Sequence, residues 1–325
     1  MSEPSGAAWP TVSVVMPVLN EEEHLATAVE SVLAQRYPGT IDVCLAVGPS
    51  RDRTAEVAAD LSRRLPVTVV ANPTGATPAG LNLAIAATRG EVVVRVDAHS
   101  RLPTDYIATA VHTLLDTGAV IVGGRQHPVA RGGTAGAVAR AMTTRFGTGG
   151  ARFHVGGGAG PVDTVYLGVF RRAAGDAVGW FDERLVRNQD YELNIRLRAA
   201  GGTVWFDPRL SVEYSPRDTL RALARQYAQY GWWKAQVARL HPSSLRARQV
   251  IPALVTAVIA TGLVAGVWWP PALLAPLGYA GAVVLASATS GRDMGEKVRL
   301  VAVYPVMHLC WGLGFLASWP RRRLR

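Results

Sequence analysis

The stretch Glu91-Val-Val-Val-Arg-Val-Asp-Ala-His99 places a carboxylate and an imidazole directly after a run of β-branched residues. Such an apolar run predicts a central strand of a parallel sheet, because both faces of those strands are covered. Ligands of open α/β sheets bind in the crevice beyond the carboxyl ends of the strands. Asp97 and His99 therefore predict a shared divalent-cation site at that edge. The simpler alternative is a loop aspartate that caps a helix beginning near Pro103, and the motif alone leaves both open.

A second acid opens another predicted helix further along the chain. Asn188 is a suitable N-cap for this helix, and Gly201-Gly202 is suited to end it. Asp190 falls in the first turn, where the helix dipole favours an ionised carboxylate. An ionised carboxylate is what a general base requires. The alternative is an acid that only stabilises the start of the helix.

Strand and helix patterns alternate along the first two thirds of the chain, which predicts an α/β domain with a mostly parallel sheet. We expect this domain over residues 11–216, after a disordered N-terminus at 1–10. The chain has two cysteines, too few for a disulfide framework, so a reducing compartment is expected. The expected strands cover 12–17, 41–47, 67–71, 91–96, 119–124, 163–170 and 203–206, and the expected helices cover 22–34, 54–64, 78–89 and 104–116.

A glycine-dense segment covers residues 147–160. It does not lie between a strand and a helix, so a phosphate-binding loop of the Walker or Rossmann type is excluded. We interpret it either as a flexible lid over a cleft or as a surface loop. Arg152 and His154 are the polar side chains of this segment that could reach a diphosphate.

The net charge of +10 is concentrated in residues 217–249 and in a basic tail at 320–325. Basic patches are typical of proteins that bind nucleic acid, anionic lipid or phosphate-bearing substrates. Nucleic acid is disfavoured, because this basic segment runs directly into apolar stretches. Within this interface region we expect Leu220–Leu240 to form an amphipathic helix at a membrane surface. Trp232 and Trp233 in it either support that helix or bind an acceptor.

Three apolar segments at 250–269, 272–289 and 298–319 are long enough to cross a membrane. They predict a multi-pass cell-membrane protein with a cytoplasmic catalytic domain. Three full spans would place Arg321-Arg322-Arg323 outside, against the positive-inside tendency. Either the third segment is re-entrant or interfacial, or the tail violates that rule.

Taken together, these motifs resemble those of an inverting family 2 glycosyltransferase with the GT-A (nucleotide-diphospho-sugar transferase) fold. The resemblance is greatest to the membrane-anchored branch of succinoglycan-biosynthesis glucosyltransferases, and it covers residues 11–245 in the expected order. The matching stretches are Val14–Glu22, Pro78–Asn82, Val94–His99, Phe146–Phe153, Val162–Val165, Leu185–Asp190 and Arg225–Lys234.

The resemblance implies that Asp97 and His99 hold a divalent cation (Mg²⁺ or Mn²⁺) and that Asp190 is the general base. Asp97 could equally contact the ribose of the donor. The donor is a UDP-sugar by default, although Val47 stands where many members have an aspartate that reads the base. The donor-binding residues implied are Pro17, Val18, Asn20, Glu22, Asn82 and Asp97, and those assigned to the acceptor or a lid are Arg152, His154, Gln189, Trp232 and Trp233.

The expected activity is transfer of one sugar to a lipid-linked or membrane-proximal saccharide, in cell-envelope or exopolysaccharide assembly. Polymerising members carry a Gln-x-x-Arg-Trp motif, and Gln229-Tyr-Gly-Trp-Trp233 lacks its arginine, which disfavours a processive synthase. A polyprenyl-phosphate monosaccharide synthase is an alternative within the same class. A non-catalytic membrane scaffold that retains the fold is the alternative from another class.

Overall fold

A computed structural model describes residues 8–130 and 132–318 of the chain. Most of the N-terminus predicted to be disordered, and the basic tail at 320–325, lie outside these residues. The chain divides into two compact units. The first contains the residues up to Gln126 together with Gly157–Glu213, and the second contains His127–Gly156 together with the residues from Tyr214 onward.

The elements are numbered along the described part of the chain. The strands are β1 (Val12–Val18), β2 (Ile41–Val47), β3 (Val67–Ala71), β4 (Val92–Arg95), β5 (Ile121–Pro128), β6 (Gly160–Pro161), β7 (Tyr166–Arg171) and β8 (Val204–Tyr214). The helices are α1 (Leu25–Leu33), α2 (Thr54–Arg64), α3 (Thr77–Ala86), α4 (Tyr106–Thr117), α5 (Gly133–Met142), α6 (Arg145–Thr148), α7 (Arg152–Val155), α8 (Arg172–Val178), α9 (Gln189–Ala199), α10 (Leu220–Leu240), α11 (Ala247–Ala265), α12 (Leu274–Ser290) and α13 (Met294–Ser318), with 3₁₀ turns at Pro242–Ser244 and Pro270–Leu273.

The first unit is built on a mixed sheet with the strand order β3-β2-β1-β4-β7-β5-β8-β6. Strands β3, β2, β1 and β4 are parallel, whereas β7 is antiparallel to both of its neighbours, β4 and β5. Because β1 and β4 are parallel neighbours, with Val14 opposite Val94, their carboxyl ends open on the same edge of the sheet. The expected α/β class is confirmed, and this edge is where the sequence places its candidate site.

Alternate residues of the strands form the core of the first unit. Val14 and Met16 of β1 are fully buried and belong to one apolar cluster with Leu25 of α1 and Leu61 of α2. Burial of each such side chain contributes about 1.5–3 kcal/mol relative to exposure. The strand ends that carry the polar residues are therefore fixed by the most rigid part of this unit.

The second unit is helical and is discontinuous in sequence. The apolar face of α5, with Ala137, Val138 and Met142, packs in one buried cluster with Tyr304 and Met307 of α13. This packing groups residues 127–156 with the C-terminal helices, although the sequence had assigned them to a continuous 11–216 domain. Within the predicted lid segment, the structure has the short helices α6 and α7.

Helix α10 has the bounds expected for the basic amphipathic helix, but its last turns are buried. A methyl group added at Gly231 would lie 1.9 Å from the carbonyl oxygen of Trp311, and one at Gly314 would lie 2.0 Å from that of Ala228. These distances show that the backbones of α10 and α13 touch. The helix therefore packs directly against α13 as well as carrying exposed arginines such as Arg221.

Three helical segments are long and apolar enough to cross a membrane, namely Ala247–Ala265, Pro270–Ser290 and Met294–Ser318. They correspond to the three predicted segments within a few residues. Within the most apolar 18-residue stretch of each segment, 17% of the stretch is buried in the first segment, 11% in the second and 39% in the third. The third segment thus differs from the other two in how much protein covers it.

Candidate active site

The loop after β1 and the loop after β4 meet at the carboxyl edge of the parallel strands. His99 follows β4, and its Nδ1 lies 2.9 Å from Oε1 of Glu21, which follows β1. The Glu21 side chain is 19% exposed and that of His99 is 45% exposed. A carboxylate at one ring nitrogen fixes the orientation and tautomer of an imidazole. Glu21 therefore orients His99.

Asp97 and Asp190 lie at the same edge, with Arg95 between them. The Arg95 guanidinium donates to Oδ1 of Asp97 from Nε at 3.1 Å and from Nη2 at 2.9 Å. Its third nitrogen, Nη1, is 3.9 Å from Oδ2 of Asp190. The structure thus brings the two predicted acids into one site through a residue that sequence reasoning had treated only as part of a strand.

The Arg95 side chain is only 11% exposed. Burial acts to lower the pKa of its guanidinium, but the carboxylates of Asp97 and Asp190 outweigh that effect and raise it above the usual value. The guanidinium is therefore a fixed positive charge between two acids. Arg95 and Asp97 are two residues apart at the end of β4, so the backbone of this short segment determines the geometry of their ion pair.

The start of α9 positions Asp190 for contact with a substrate. Its carboxylate is 43% exposed, and Oδ1 accepts a hydrogen bond from the backbone N–H of Tyr191 at 2.8 Å. Asn188 precedes the helix as predicted, but in the left-handed conformation (φ 62°) and without a side-chain capping bond. Further along, the buried Glu192 pairs with Arg196 at 2.8 Å.

The same Arg196 guanidinium donates to the carbonyl of Val178 at 2.7 Å, which fixes α9 to the end of α8. Asn82, predicted to bind the donor, forms a second set of hydrogen bonds to this region. Its Nδ2 donates to Phe181 O and to Glu183 Oε1, both at 2.9 Å, and its Oδ1 accepts from the Phe181 N–H at 3.0 Å. The structure places Asn82 where it holds the loop that leads to Asp190.

Two of the predicted donor residues, Asn20 and Glu22, bond to the loop that precedes α2. Asn20 has φ 55°, and its Oδ1 accepts from the Arg51 N–H at 2.8 Å. Oε2 of Glu22 accepts from the Arg53 N–H at 2.8 Å. In that loop, Asp52 accepts from the N–H of Thr54, the first residue of α2, at 3.1 Å. These bonds lock two loops of the site edge together.

Three further predicted site residues, Pro17, Val18 and Gln189, also belong to the first unit. Pro17 and Val18 end β1, where Val18 is buried. Gln189 is 6% exposed and adjoins Asp190. Its Oε1 has no hydrogen-bond partner within residues 8–130 and 132–318.

The remaining predicted residues, Arg152, His154, Trp232 and Trp233, belong to the second unit. Burial, together with a smaller effect of the nearby Arg248 charge, lowers the pKa of His154 to about 4. His154 is therefore neutral at pH 7 and offers a phosphate no positive charge. The two tryptophans are half-buried on α10.

Asp97 and His99 can supply two ligands to a divalent cation whose remaining ligands come from a substrate. Among the described residues, no group of three or more His, Cys, Asp or Glu side chains is arranged to hold a metal ion. Mg²⁺ in nucleotide enzymes is commonly bound through one or two carboxylates together with substrate phosphates, so a complete protein cage is not required. Carboxylate is a ligand that suits both Mg²⁺ and Mn²⁺.

Arg95 and Glu21 are the two residues of this edge that sequence reasoning missed. Arg95 interrupts a run of valines, and a cation inside a buried strand is a signal for a nearby acid. Glu21 belongs to the acidic run Glu21–Glu23, which precedes helix α1, and that position in sequence gives no sign of its contact with His99.

The sequence and the fold were compared with those of known proteins. Residues 13–182 match the family model described as "Glycosyl transferase family 2". The chain is 31% identical over 309 residues to the "Succinoglycan biosynthesis protein ExoA" of Rhizobium meliloti (strain 1021), covering 93% of each chain. It is 21% identical over 238 residues to a dolichyl N-acetyl-α-D-glucosaminyl phosphate 3-β-D-2,3-diacetamido-2,3-dideoxy-β-D-glucuronosyltransferase of Methanococcus voltae, covering 70% of this chain and 74% of that one.

Among solved structures, the fold is similar to the mannosyltransferase PcManGT of Pyrobaculum calidifontis in complex with GDP-Man and Mn²⁺. The TM-score is 0.62 at 18% identity, covering 96% of this chain and 88% of that one. S. aureus TarS 1–349 in complex with UDP-GlcNAc gives a TM-score of 0.51 at 14% identity, covering 91% and 90%. Against a longer TarS chain the match covers 42% of that chain. The similarities to PcManGT and to TarS 1–349 with UDP-GlcNAc confirm the GT-A fold.

Proposed function

This chain belongs to glycosyl transferase family 2, and from that membership we propose that it transfers one sugar, with inversion, from a nucleotide-diphospho-sugar to a lipid-linked or membrane-proximal saccharide. The observation that carries the proposal is the position of Asp97 and Asp190, both within reach of the Arg95 guanidinium. One acid adjoins the place expected for the donor diphosphate, and the other is exposed to an acceptor.

Asp190 is the general base of the proposed reaction. Its carboxylate takes the proton of an acceptor hydroxyl while that oxygen attacks the anomeric carbon of the donor. The new carbon–oxygen bond forms on the face opposite the bond to the nucleotide diphosphate, which breaks with its electron pair on the phosphate. Such a displacement inverts the anomeric configuration. Proton transfer by a positioned side chain typically contributes about 10²–10⁴-fold in rate.

Asp97 and His99 would hold the divalent cation, Mg²⁺ or Mn²⁺, which stabilises the charge that develops on the departing diphosphate. The protein itself supplies the orientation. Glu21 fixes the imidazole of His99 through Nδ1, and Arg95 fixes the carboxylate of Asp97 through two bonds to Oδ1. Asn82 is hydrogen-bonded to Phe181 in the loop before α9. It thereby helps to fix the position of Asp190 at the start of α9.

The acceptor class is inferred from the relatives and from the apolar helices. The R. meliloti relative is named for succinoglycan biosynthesis, and the M. voltae relative for transfer to a dolichyl-phosphate-linked sugar. Both names describe sugars assembled into larger saccharides, the second on a lipid. The three apolar helices are consistent with an enzyme that meets a lipid-linked acceptor at the cell membrane, in exopolysaccharide or cell-envelope assembly.

The test uses the full chain in detergent or membranes with a panel of UDP- and GDP-sugars, with and without Mn²⁺, and with polyprenyl phosphate or lipid-linked saccharide as acceptor. We expect nucleotide release and sugar transfer to the lipid-linked saccharide with one of these donors. Transfer to polyprenyl phosphate itself would instead identify a polyprenyl-phosphate monosaccharide synthase. A chain that releases no nucleotide from any donor would be a scaffold.

The Asp190→Asn variant separates the base from the binding site. It should lose transfer by at least about 10²-fold while retaining donor affinity, because the amide keeps the shape and cannot accept the proton. Asp182→Asn, an acid paired with Arg184 at 2.9 Å in the loop before α9, is the matched control. Full activity of Asp190→Asn would remove this residue from the mechanism.

A further inference from the structure

The last turns of α13 lie beside the first turns of α11. A methyl group added at Gly312 would lie 2.1 Å from Oγ1 of Thr256 and 2.5 Å from the carbonyl oxygen of Pro252. One turn later, Phe315 packs in a buried cluster with Ala253. Helix α11 extends to Ala265, so these contacts fall in its first half.

The end of α13 is also held by the end of α10. Nε2 of Gln236 donates to Oγ of Ser318 at 3.0 Å, and the Arg239 guanidinium donates to the Ser318 carbonyl. Helix α10 ends at Leu240, shortly before α11 begins at Ala247. Ser318 therefore lies near the start of α11.

Ser318, the last residue of α13, does not lie where the end of a third membrane span would lie. Helix α12 ends at Ser290 and α13 begins at Met294, so α13 begins where α12 returns. Were α13 to cross the bilayer alongside α11, its end would reach the level of Ala265. Its end instead contacts residues close to the start of α11, and both ends of α13 thus lie on the side from which the α11–α12 hairpin begins.

The two legs of the hairpin touch near its tip, and α13 contacts both legs. A methyl group at Gly262 would lie 2.8 Å from the Ala272 carbonyl oxygen, so α11 and α12 touch near the tip. The middle of α13 contacts α12, because Nδ1 of His308 lies 3.1 Å from the hydroxyl of Tyr279. Within this unit, α13 therefore bridges the legs of the hairpin.

The charges of the second unit favour the same arrangement. Helix α10 packs along α13, and it carries Arg221, Arg225, Lys234 and Arg239. A span formed by α13 would draw these cations toward the hydrocarbon, where each is costly. The cations that flank the apolar helices would all lie on one side if only the hairpin crosses, as the positive-inside rule requires. They are Arg246, Arg248, Arg292, Lys297 and Arg299, followed in sequence by the arginines at 321–323.

We propose that the α11–α12 hairpin alone crosses the bilayer, and that α13 lies with α10 at the membrane surface on the cytoplasmic side. The 19 residues of Ala247–Ala265 and the 21 of Pro270–Ser290 are each about 30 Å long as helices, which matches the hydrocarbon thickness. Trp268 and Trp269, at the tip, are 78% and 63% exposed. Such aromatic residues anchor a span at the far interface. This topology does not depend on the proposed reaction.

The test maps which residues can be reached from outside the cell. In a full-length Cys44→Ala, Cys310→Ala background, Val267→Cys places a thiol at the tip and Met294→Cys places one at the start of α13; both native side chains are 73% exposed. Ala59→Cys, on exposed α2 of the first unit, is the matched inside control. In intact bacterial cells, a membrane-impermeant maleimide should label Val267→Cys at least tenfold more than the other two variants.

The C-terminus is tested separately with the native cysteines in place. A C-terminal green fluorescent protein fusion should fluoresce, and a C-terminal alkaline phosphatase fusion should be inactive. An active phosphatase would mean that α13 crosses and would overturn the proposal. Labelling of Val267→Cys only after permeabilisation would also overturn it, because the hairpin would then turn back inside the bilayer.

Discussion

The guanidinium of Arg95 connects two acids that are far apart in sequence. It donates two bonds to Asp97 and lies 3.9 Å from Asp190. Because Arg95 is buried and its guanidinium stays protonated, this positive charge is present before any substrate arrives. In the proposed reaction a donor diphosphate would add negative charge beside Asp97, and the nearby guanidinium would reduce the resulting repulsion. Arg95 is thus a positioning residue for both acids.

Replacement of Arg95 by methionine removes this charge and both bonds to Asp97. We expect Arg95→Met to lower kcat by about 10²-fold or more, as loss of a preorganised donor does in other enzymes. Arg95→Lys should give an intermediate value, since an ammonium keeps the charge and loses the planar fork. Steady-state kcat and KM for the donor and the acceptor are the measurements.

Arg63→Met is the control for the Arg95 variants, because Arg63 pairs with Asp60 on the exposed face of α2. Added guanidinium chloride at low concentration should restore part of the Arg95→Met activity and leave Arg63→Met unchanged. Wild-type kcat in Arg95→Met would show that the two acids do not depend on the bridge.

Glu21 would act on the proposed cation site through His99. Glu21→Gln keeps the size of the side chain and removes the charge that fixes the imidazole, so Mn²⁺ affinity should fall by about 10-fold or more. The measurement is Mn²⁺ binding by electron paramagnetic resonance in the presence of UDP, without turnover. Glu23→Gln changes an exposed acid of the same run and should bind Mn²⁺ normally. Equal affinities in the two variants would contradict the role of Glu21.

At the scale of elements, short segments with a complete apolar pattern were predicted best. The strands at 41–47 and 67–71 and the helix at 54–64 match β2, β3 and α2 residue for residue. The buried residues of β2 and α2 pack against neighbours close in sequence, whereas β3 buries only Val67. Helix α5, rich in glycine and alanine, was not predicted, because its stability comes from contact with α13, which is distant in sequence.

The backbone contact between α10 and α13 makes a prediction of its own. Gly314→Val inserts a side chain at a position where even an added methyl group would lie 2.0 Å from the Ala228 carbonyl oxygen. The two helices must therefore separate. Overpacking of this kind costs about 1–3 kcal/mol or more. The purified variant in detergent should unfold at a lower temperature than the wild type in a fluorescence-monitored thermal scan.

Gly278→Ala is the matched control on α12, because a methyl group there meets no atom within 4 Å. It should leave the unfolding temperature unchanged or raise it slightly, since alanine favours a helix over glycine by about 1 kcal/mol. If Gly314→Val unfolded at the same temperature as Gly278→Ala, the close contact would not contribute to stability.

Across the whole molecule, the largest exposed apolar side chains are unevenly distributed. Many lie on α11 and α12, including Leu254 and Val258, which are 57% and 53% exposed. Exposed apolar residues on the first unit, such as Leu115 at 42%, are scattered singly. Contiguous apolar surface of this kind is typical of a membrane-facing region. The distribution, rather than the amount, indicates the surface that we propose to face lipid.

A lysine in the middle of α11 should therefore weaken membrane integration. Val258→Lys places a charge near the centre of the proposed span, at a cost of about 2.5–3.5 kcal/mol on insertion scales. We expect a larger fraction of this variant to be released from membranes by alkaline carbonate. Leu115→Lys, on α4, should remain in the pellet as the wild type does. Complete retention of both would argue against α11 as a span.

The discontinuity of the second unit bears on how the chain is made. Residues 127–156 leave the ribosome long before α13, yet the apolar face of α5 is buried by Tyr304 and Met307. Since chains fold during synthesis from the N-terminus, α5 emerges before its covering helix exists. A chain halted before α13 would keep the apolar face of α5 exposed, and chaperones and proteases recognise such surface. Quality control of this protein would thus detect a truncated product even when the sheet and its acids are intact.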